Sequence, residues 1–380
     1  MKILLAATSV EDFSGASKCL VELAVFLKQI GHDITVSLPK NGGHIETVLE
    51  EKNISYLVVR EYQCWYREKR DKSLVFKPQV WIKRFLNEIS VKKCRRILKR
   101  NKYDIVHINA MTAYVVGKAA IKEKIPTLWH IREFMEEDLG ISFIFRNWSL
   151  KLLNHATRFV AISKPIFDKW SKLLKPPIDI VYDGIEISNY YVKKKIMHDK
   201  IRILIYGRIV PGKGQLFFIK GAKRILTKIN HPCEFAFAGI IEDEAYYKVC
   251  TDYIKNNSLE KNITYLGQVK DIKELLSKTD IVCVCSTMEG FGRVTIESIL
   301  GGCIVLGANT GATKEIISDH INGYIYKQGN LDDFCTKLTD IINNIETNRI
   351  LADMAKEDAK IKYSIENSTK RIVNIYENIM

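Results

Sequence analysis

The chain has 380 residues, 47% of them apolar, and a formal charge of +14, which is enough for two or three domains, each with its own core. Its nine cysteines show neither metal-ligand nor disulfide-framework spacing and read as reduced, intracellular thiols. No apolar stretch approaches membrane-spanning length, and the opening Met-Lys-Ile-Leu-Leu-Ala-Ala, followed at once by Glu11-Asp12, is too short for a signal peptide and predicts a buried first strand.

Through the first half, short β-branched runs alternate with amphipathic stretches. Strands are predicted at 3–7, 33–38, 56–59, 105–108, 127–130, 158–162 and 178–181, with helices at 18–30, 45–51, 80–99 and 113–122. Such alternation predicts an open parallel sheet wound on both sides, with ligands beyond the carboxyl ends of its strands. The loop after the first strand, Ser9 to Ser17, holds Gly15, where the backbone can approach a ligand.

From Arg60 to Lys102 the chain carries fifteen Lys/Arg against four Asp/Glu, most of the net charge, interleaved with Trp65, Tyr66, Phe76, Trp81 and Phe85. A second basic, aromatic stretch runs from Phe143 to Lys151. Three readings compete: a solvated helix face, a nucleic-acid surface and an anionic membrane surface. No helix-turn-helix, zinc or RNA-binding signature accompanies the charge. Nucleic acid therefore ranks last and the membrane surface first. His107 and His130 each end a predicted strand, and Arg132 and Glu133 follow the second. A lone histidine is more often structural, and His107 reads that way or as part of a rim.

The run Val181-Tyr-Asp-Gly-Ile185 reads as a turn, and the polar run from Tyr190 to Lys200, with three consecutive lysines, as a linker. A second alternating half follows, with strands at 201–206, 233–238, 263–266, 281–285 and 304–308. Two of its strands lead into glycine loops and then helices. One loop is Gly207-Arg208-Ile-Val-Pro-Gly-Lys213-Gly214, with two cations suited to a diphosphate: a forked guanidinium and a point charge. The order of glycines, lysine and hydroxyl does not match a P-loop, which argues against a kinase or ATPase. The other is Glu289-Gly290-Phe291-Gly292-Arg293-Val294-Thr-Ile-Glu297. It combines glycines, free N–H groups at a helix start and carboxylates that accept from hydroxyls, which suits a sugar bearing a phosphate. Arg293 at a helix start is unfavourable to the helix dipole and points to a local anion, a ligand phosphate or Glu289. The last stretch, 363–380, is an amphipathic helix.

Together these elements resemble the retaining glycosyltransferases of family 4. The resemblance extends to Gly311-Ala-Thr-Lys-Glu-Ile-Ile317 with Asn322-Gly323 and covers almost the whole chain. It departs at Gly15, where members often carry two glycines, at Asp183, where Asn is usual, and at Arg293, where many have an apolar or small residue. It implies an α/β, GT-B architecture: an acceptor domain at 1–185, a nucleotide-sugar domain at 186–362, the two facing across a cleft, and a helix at 363–380 crossing back. It further implies that Arg208 and Lys213 stabilise the leaving diphosphate, Glu289 orients the sugar, Glu297 holds the ribose and His130 contacts the donor sugar. Gly15, Gly207, Gly214, Gly290, Phe291, Gly292, Arg293 and Val294 would shape the donor site, with the backbone at Val269 on the base. His107, Arg132 and Glu133 would meet the acceptor. The expected co-substrate is a UDP- or GDP-sugar with no required metal, and the acceptor a glycan or lipid-diphosphate-linked sugar in bacterial surface polysaccharide synthesis. The expected location is the cytoplasm, at the inner face of the plasma membrane. An epimerase or phosphorylase of the same architecture, and a non-catalytic binder, are the alternatives.

Overall fold

In the computed structural model, residues 1–11, 15–68, 73, 77–193, 195–196, 198–229 and 231–380 are described. Phe76, Asp12 and part of the loop before Gly15 lie outside them. The chain divides into two units, Met1–Ile185 with Ile365–Met380, and Glu186–Ser364.

In the first unit seven strands pair in parallel, in the spatial order Ser55–Val58, Asp33–Leu38, Lys2–Ala6, Ile105–Ile108, Thr127–Ile131, Arg158–Ala161 and Ile178–Ile180. The parallel architecture expected from alternation is present. Both faces of a parallel sheet are covered by its crossovers, so its strands can be apolar throughout. Leu4, Leu5, Val106 and Trp129 accordingly have no exposed surface. The C-terminal helix Ile365–Ile379 belongs to this unit, packing Ile372, Ile375 and Tyr376 into a core with Leu5, Leu23, Ile105 and Val160.

Missing from the sequence reading was a separate antiparallel pair, Tyr66–Glu68 with Ile141–Phe143. It seats Trp65 in a ring cluster, stacked on Tyr114 at 4.7 Å and edge-on to Phe143 and Trp148. Trp65 is thus 2% exposed, and part of the aromatic content assigned to a surface is core.

In the second unit six strands pair in parallel: Ile263–Tyr265, Cys233–Ala238, Ile201–Tyr206, Ile281–Val284, Ile304–Ala308 and Tyr324–Tyr326. The direction of winding reverses between Ile201–Tyr206 and Ile281–Val284. A crevice at such a reversal, beyond the carboxyl ends, is where open α/β sheets bind ligands. The two glycine-loop motifs leave these two strands.

Candidate active site

Both motif loops of the second unit turn on glycines in the left-handed region, and at Gly214 a backbone contact also excludes a side chain. Gly214 has φ +78, and a Cβ there would lie 2.3 Å from the carbonyl oxygen of Cys285. It precedes the helix Gln215–Ile225. Gly292, φ +95, precedes the helix Arg293–Leu300. Thr287 N–H donates to the Gly212 carbonyl at 2.9 Å and joins the two loops, while Ala312 N–H donates to the Glu289 carbonyl at 2.9 Å and fixes the second from below.

This frame brings Lys213 and Glu289 together across 76 residues: Lys213 Nζ donates to Glu289 Oε1 at 2.6 Å. Ser286 Oγ donates to the same oxygen at 2.5 Å. Burial acts to raise the Glu289 pKa, but the Lys213 charge and the hydrogen bonds from Lys213 and Ser286 outweigh it, and the net shift is downward. The carboxylate is therefore held ionised although it is largely buried.

Glu297 is also buried. It accepts from Arg293 Nε at 3.2 Å and from the Tyr206 hydroxyl at 3.4 Å. The local anion that Arg293 called for thus includes Glu297, one helical turn on, where the i,i+4 spacing brings the pair together. Arg208 points elsewhere than the diphosphate role would have it, pairing with Glu242 at 2.9 Å, both side chains more than 40% exposed. An open pair of this kind is worth about 0–1 kcal/mol and yields readily to an anionic ligand. Phe291 is buried edge-on to Tyr363. Val294 is half-buried in the helix start, and Gly207, φ +137, ends its strand with no atom within 4 Å of a built Cβ. Gly290 lies in the loop before Gly292, and Val269 in the loop after Ile263–Tyr265.

In the first unit Gly15 opens the helix Gly15–Gln29. The residues after Thr127–Ile131 turn inward. Arg132 Nε donates to the Asn109 carbonyl at 2.8 Å, and Nη1 donates to both Asp183 oxygens at 2.5 Å. Arg132 and Asp183 are 9% and 6% exposed. Burial works against the Arg132 charge, yet the Asp183 carboxylate reverses this and raises its pKa. Glu133 Oε1 accepts from Met111 N–H at 2.8 Å and Oε2 from Arg132 N–H at 3.1 Å; burial, aided by the Asp138 charge, pushes its pKa up to about 8. His107 has no exposed surface. The acceptor contacts expected of His107, Arg132 and Glu133 do not fit this placement: Arg132 is engaged by Asn109 and Asp183, Glu133 by the Met111 and Arg132 N–H groups, and His107 by Tyr376 and His130.

Three residues were missed. Ser286 was findable, three positions before Glu289 at the end of a strand. Asp183 had been read only as a turn residue, because its partner lies 51 positions away. Glu61, pushed up to about 7 by burial, accepts from Tyr114 and Val115 N–H at 3.2 Å and caps the helix Val115–Lys122.

The family model described as glycosyltransferase family 4 matches residues 13–189, and that described as glycosyl transferases group 1 matches 187–358. The chain belongs to the family 4 glycosyltransferases. The N-acetyl-alpha-D-glucosaminyl L-malate synthase of Bacillus anthracis is 21% identical over 100% of this chain and 98% of its own. An Escherichia coli UDP-Gal:alpha-D-GlcNAc-diphosphoundecaprenol alpha-1,3-galactosyltransferase is 20% identical over 74% of this chain and 77% of its own. Among solved structures, the Anabaena protein HepE, crystallised with UDP and glucose, superposes with a TM-score of 0.80 at 21% identity, all of both chains covered. The architecture is that of GT-B glycosyltransferases, and this protein is a glycosyltransferase enzyme.

Proposed function

We propose that this glycosyltransferase moves a sugar, with retention of anomeric configuration, from a UDP- or GDP-sugar to a lipid-linked or glycan acceptor in bacterial surface polysaccharide synthesis. The observation that carries the reading is the Lys213–Glu289–Ser286 cluster at the winding reversal of the second sheet. A cation there suits a leaving diphosphate, and an ionised carboxylate beside it suits donor-sugar hydroxyls. Arg208, released from Glu242, would add a second cation. Glu297, with Arg293, is the proposed ribose contact, and His130 the first unit's hydrogen bond to the sugar.

Lys213 and Arg208 would supply the positive charge at the diphosphate, and the reading therefore asks for no required metal. The relative from Escherichia coli, whose name specifies a UDP-sugar and an undecaprenol diphosphate acceptor, supports this class of donor and acceptor.

A lipid-linked acceptor implies contact with a membrane, although no helix among the described residues is long and apolar enough to cross one. The outer face of the helix Pro78–Asn101 supports peripheral contact. Trp81, Ile82, Phe85 and Ile89 are 53%, 59%, 67% and 38% exposed. Lys92, Lys93 and Arg96 continue that face toward the helix end. Exposed apolar residues beside cations match an anionic interface.

The test incubates the enzyme with UDP- and GDP-sugars and an undecaprenyl-diphosphate-sugar, with and without EDTA. Product of the donor's anomeric configuration, formed in EDTA, is expected. Inversion, or a strict need for a divalent ion, would overturn the mechanism.

A further inference from the structure

The C-terminal helix reaches His130 through a buried line of hydrogen bonds. Tyr376 Oη lies 2.6 Å from His107 Nδ1, and His107 Nε2 lies 3.2 Å from His130 Nδ1. Tyr376, His107 and His130 are 0%, 0% and 3% exposed, so water does not compete for these groups. His130 Nδ1 also stands 3.4 Å from Arg132 Nη2.

Only one arrangement of protons satisfies the line. A guanidinium has donors and no acceptor, so His130 Nδ1 must be bare. Both rings are neutral, since burial and the Arg132 charge depress their pKa values, that of His107 to about 3. A neutral ring with a bare Nδ1 carries its proton on Nε2. The contact between the rings then needs a proton from His107 Nε2, which leaves His107 Nδ1 bare to accept from the Tyr376 hydroxyl. The order is Tyr376 O–H to His107, His107 N–H to His130.

At its far end, His130 Nε2 is buried without a hydrogen-bond partner among the described residues. Asp183 Oδ1, at 3.8 Å, is beyond hydrogen-bond length, and its negative charge favours a proton on the facing nitrogen. A buried N–H without an acceptor is costly unless a ligand completes it.

We propose that Tyr376 and His107 are positioning residues that, with Arg132, hold the His130 ring in the Nε2–H tautomer, as a fixed donor to a substrate oxygen. The tautomer assignment stands on the contacts together with the neutrality of the two buried rings; the substrate contact rests on the glycosyltransfer reading above. This gives the C-terminal helix a part in setting the site's chemistry besides its part in the core.

The test labels the full-length enzyme with 15N-histidine and records long-range 1H–15N spectra at pH 7.5, assigned with His130→Asn and His107→Gln. The expected result is that each of the two rings carries its proton on Nε2. A proton on Nδ1 of His130, or a charged ring, would overturn the assignment, and this readout needs neither substrate nor transfer. In Tyr376→Phe, His107 loses the donor to its Nδ1 and mixed tautomers are expected at that ring, while Arg132 Nη2 still keeps His130 Nδ1 bare. Turnover of UDP-glucose or GDP-mannose, whichever the wild-type enzyme consumes, should fall about tenfold in kcat/KM in Tyr376→Phe and in His107→Met. His107→Gln, whose amide keeps an N–H near the Nε2 position, should stay within about threefold. Equal losses in His107→Gln and His107→Met would reduce His107 to a packing residue and refute the positioning role. Should Tyr376→Phe fail to fold, the wild-type spectrum and the His107 pair still decide.

Discussion

Replacing Lys213 by Met tests the donor site in two independent ways. The Lys213 side chain is 24% exposed and its partner Glu289 11%, with 2.6 Å between them. Breaking a fully buried pair costs about 3–5 kcal/mol. Partial exposure lowers the expectation here to about 1–3 kcal/mol at neutral pH. Because the pair depresses the Glu289 pKa, its stabilising contribution is present above the ordinary 4.5 and is lost as the pH falls through the depressed folded value. Without Lys213, burial dominates and raises the Glu289 pKa, so the variant's penalty grows as the pH rises above the ordinary 4.5 and is complete above the raised value. The deficit against wild type should therefore be largest at pH 7–8 and shrink toward pH 4, read from urea unfolding at a series of pH values. On the reaction, a cation about 4 Å from a phosphate in a partly screened site is worth at most about 4 kcal/mol. Transfer should thus fall by up to about three decades. An unchanged kcat/KM, or a stability deficit independent of pH, would refute the reasoning.

Other consequences are separable. Gly214→Ala and Gly42→Ala share φ +78, but only at Gly214 would the Cβ collide with backbone, 2.3 Å from the Cys285 oxygen. Gly42→Ala should cost about 1 kcal/mol of strain and Gly214→Ala more than about 3 kcal/mol, by thermal unfolding. Asp183→Asn leaves the buried Arg132 charge without its counter-charge and should lower stability by about 3–5 kcal/mol. Adding Arg132→Met should recover part of that loss in a double-mutant cycle. For the surface helix, flotation with phosphatidylglycerol vesicles should carry the wild-type chain and not Trp81→Ser/Phe85→Ser. Equal flotation of both, or binding to neutral phosphatidylcholine vesicles alone, would remove the membrane role from this face.

The alternation of apolar strands and amphipathic helices was legible because it is local: a run of β-branched residues between glycines declares itself within ten positions. So were the two glycine-loop motifs themselves. Each motif sits at the carboxyl end of its own strand, and the two strands are neighbours at the winding reversal, so local geometry and topology together bring the residues within 2.6 Å. Trp65 and Trp81 look alike in sequence, both aromatic in a basic run. Which is core depends on the pairing of Tyr66–Glu68 with Ile141–Phe143, more than seventy residues on, and no periodicity near Trp65 announces it. Asp183 shows the same limit. Its neighbours fit a turn, but its carboxylate answers a charge placed two residues after His130 on another strand. Arg132 and Asp183 form one buried charge pair, and the departure at Asp183 is intelligible only beside Arg132. Asp in place of the family's usual Asn gives the buried guanidinium its counter-ion, and the guanidinium's Nη2 keeps His130 Nδ1 bare. Asp183→Asn should therefore disturb the His130 tautomer as well as stability, which the same 15N-histidine spectra would read. Loss of stability with an unchanged His130 spectrum would separate the charge pair from the histidine it contacts.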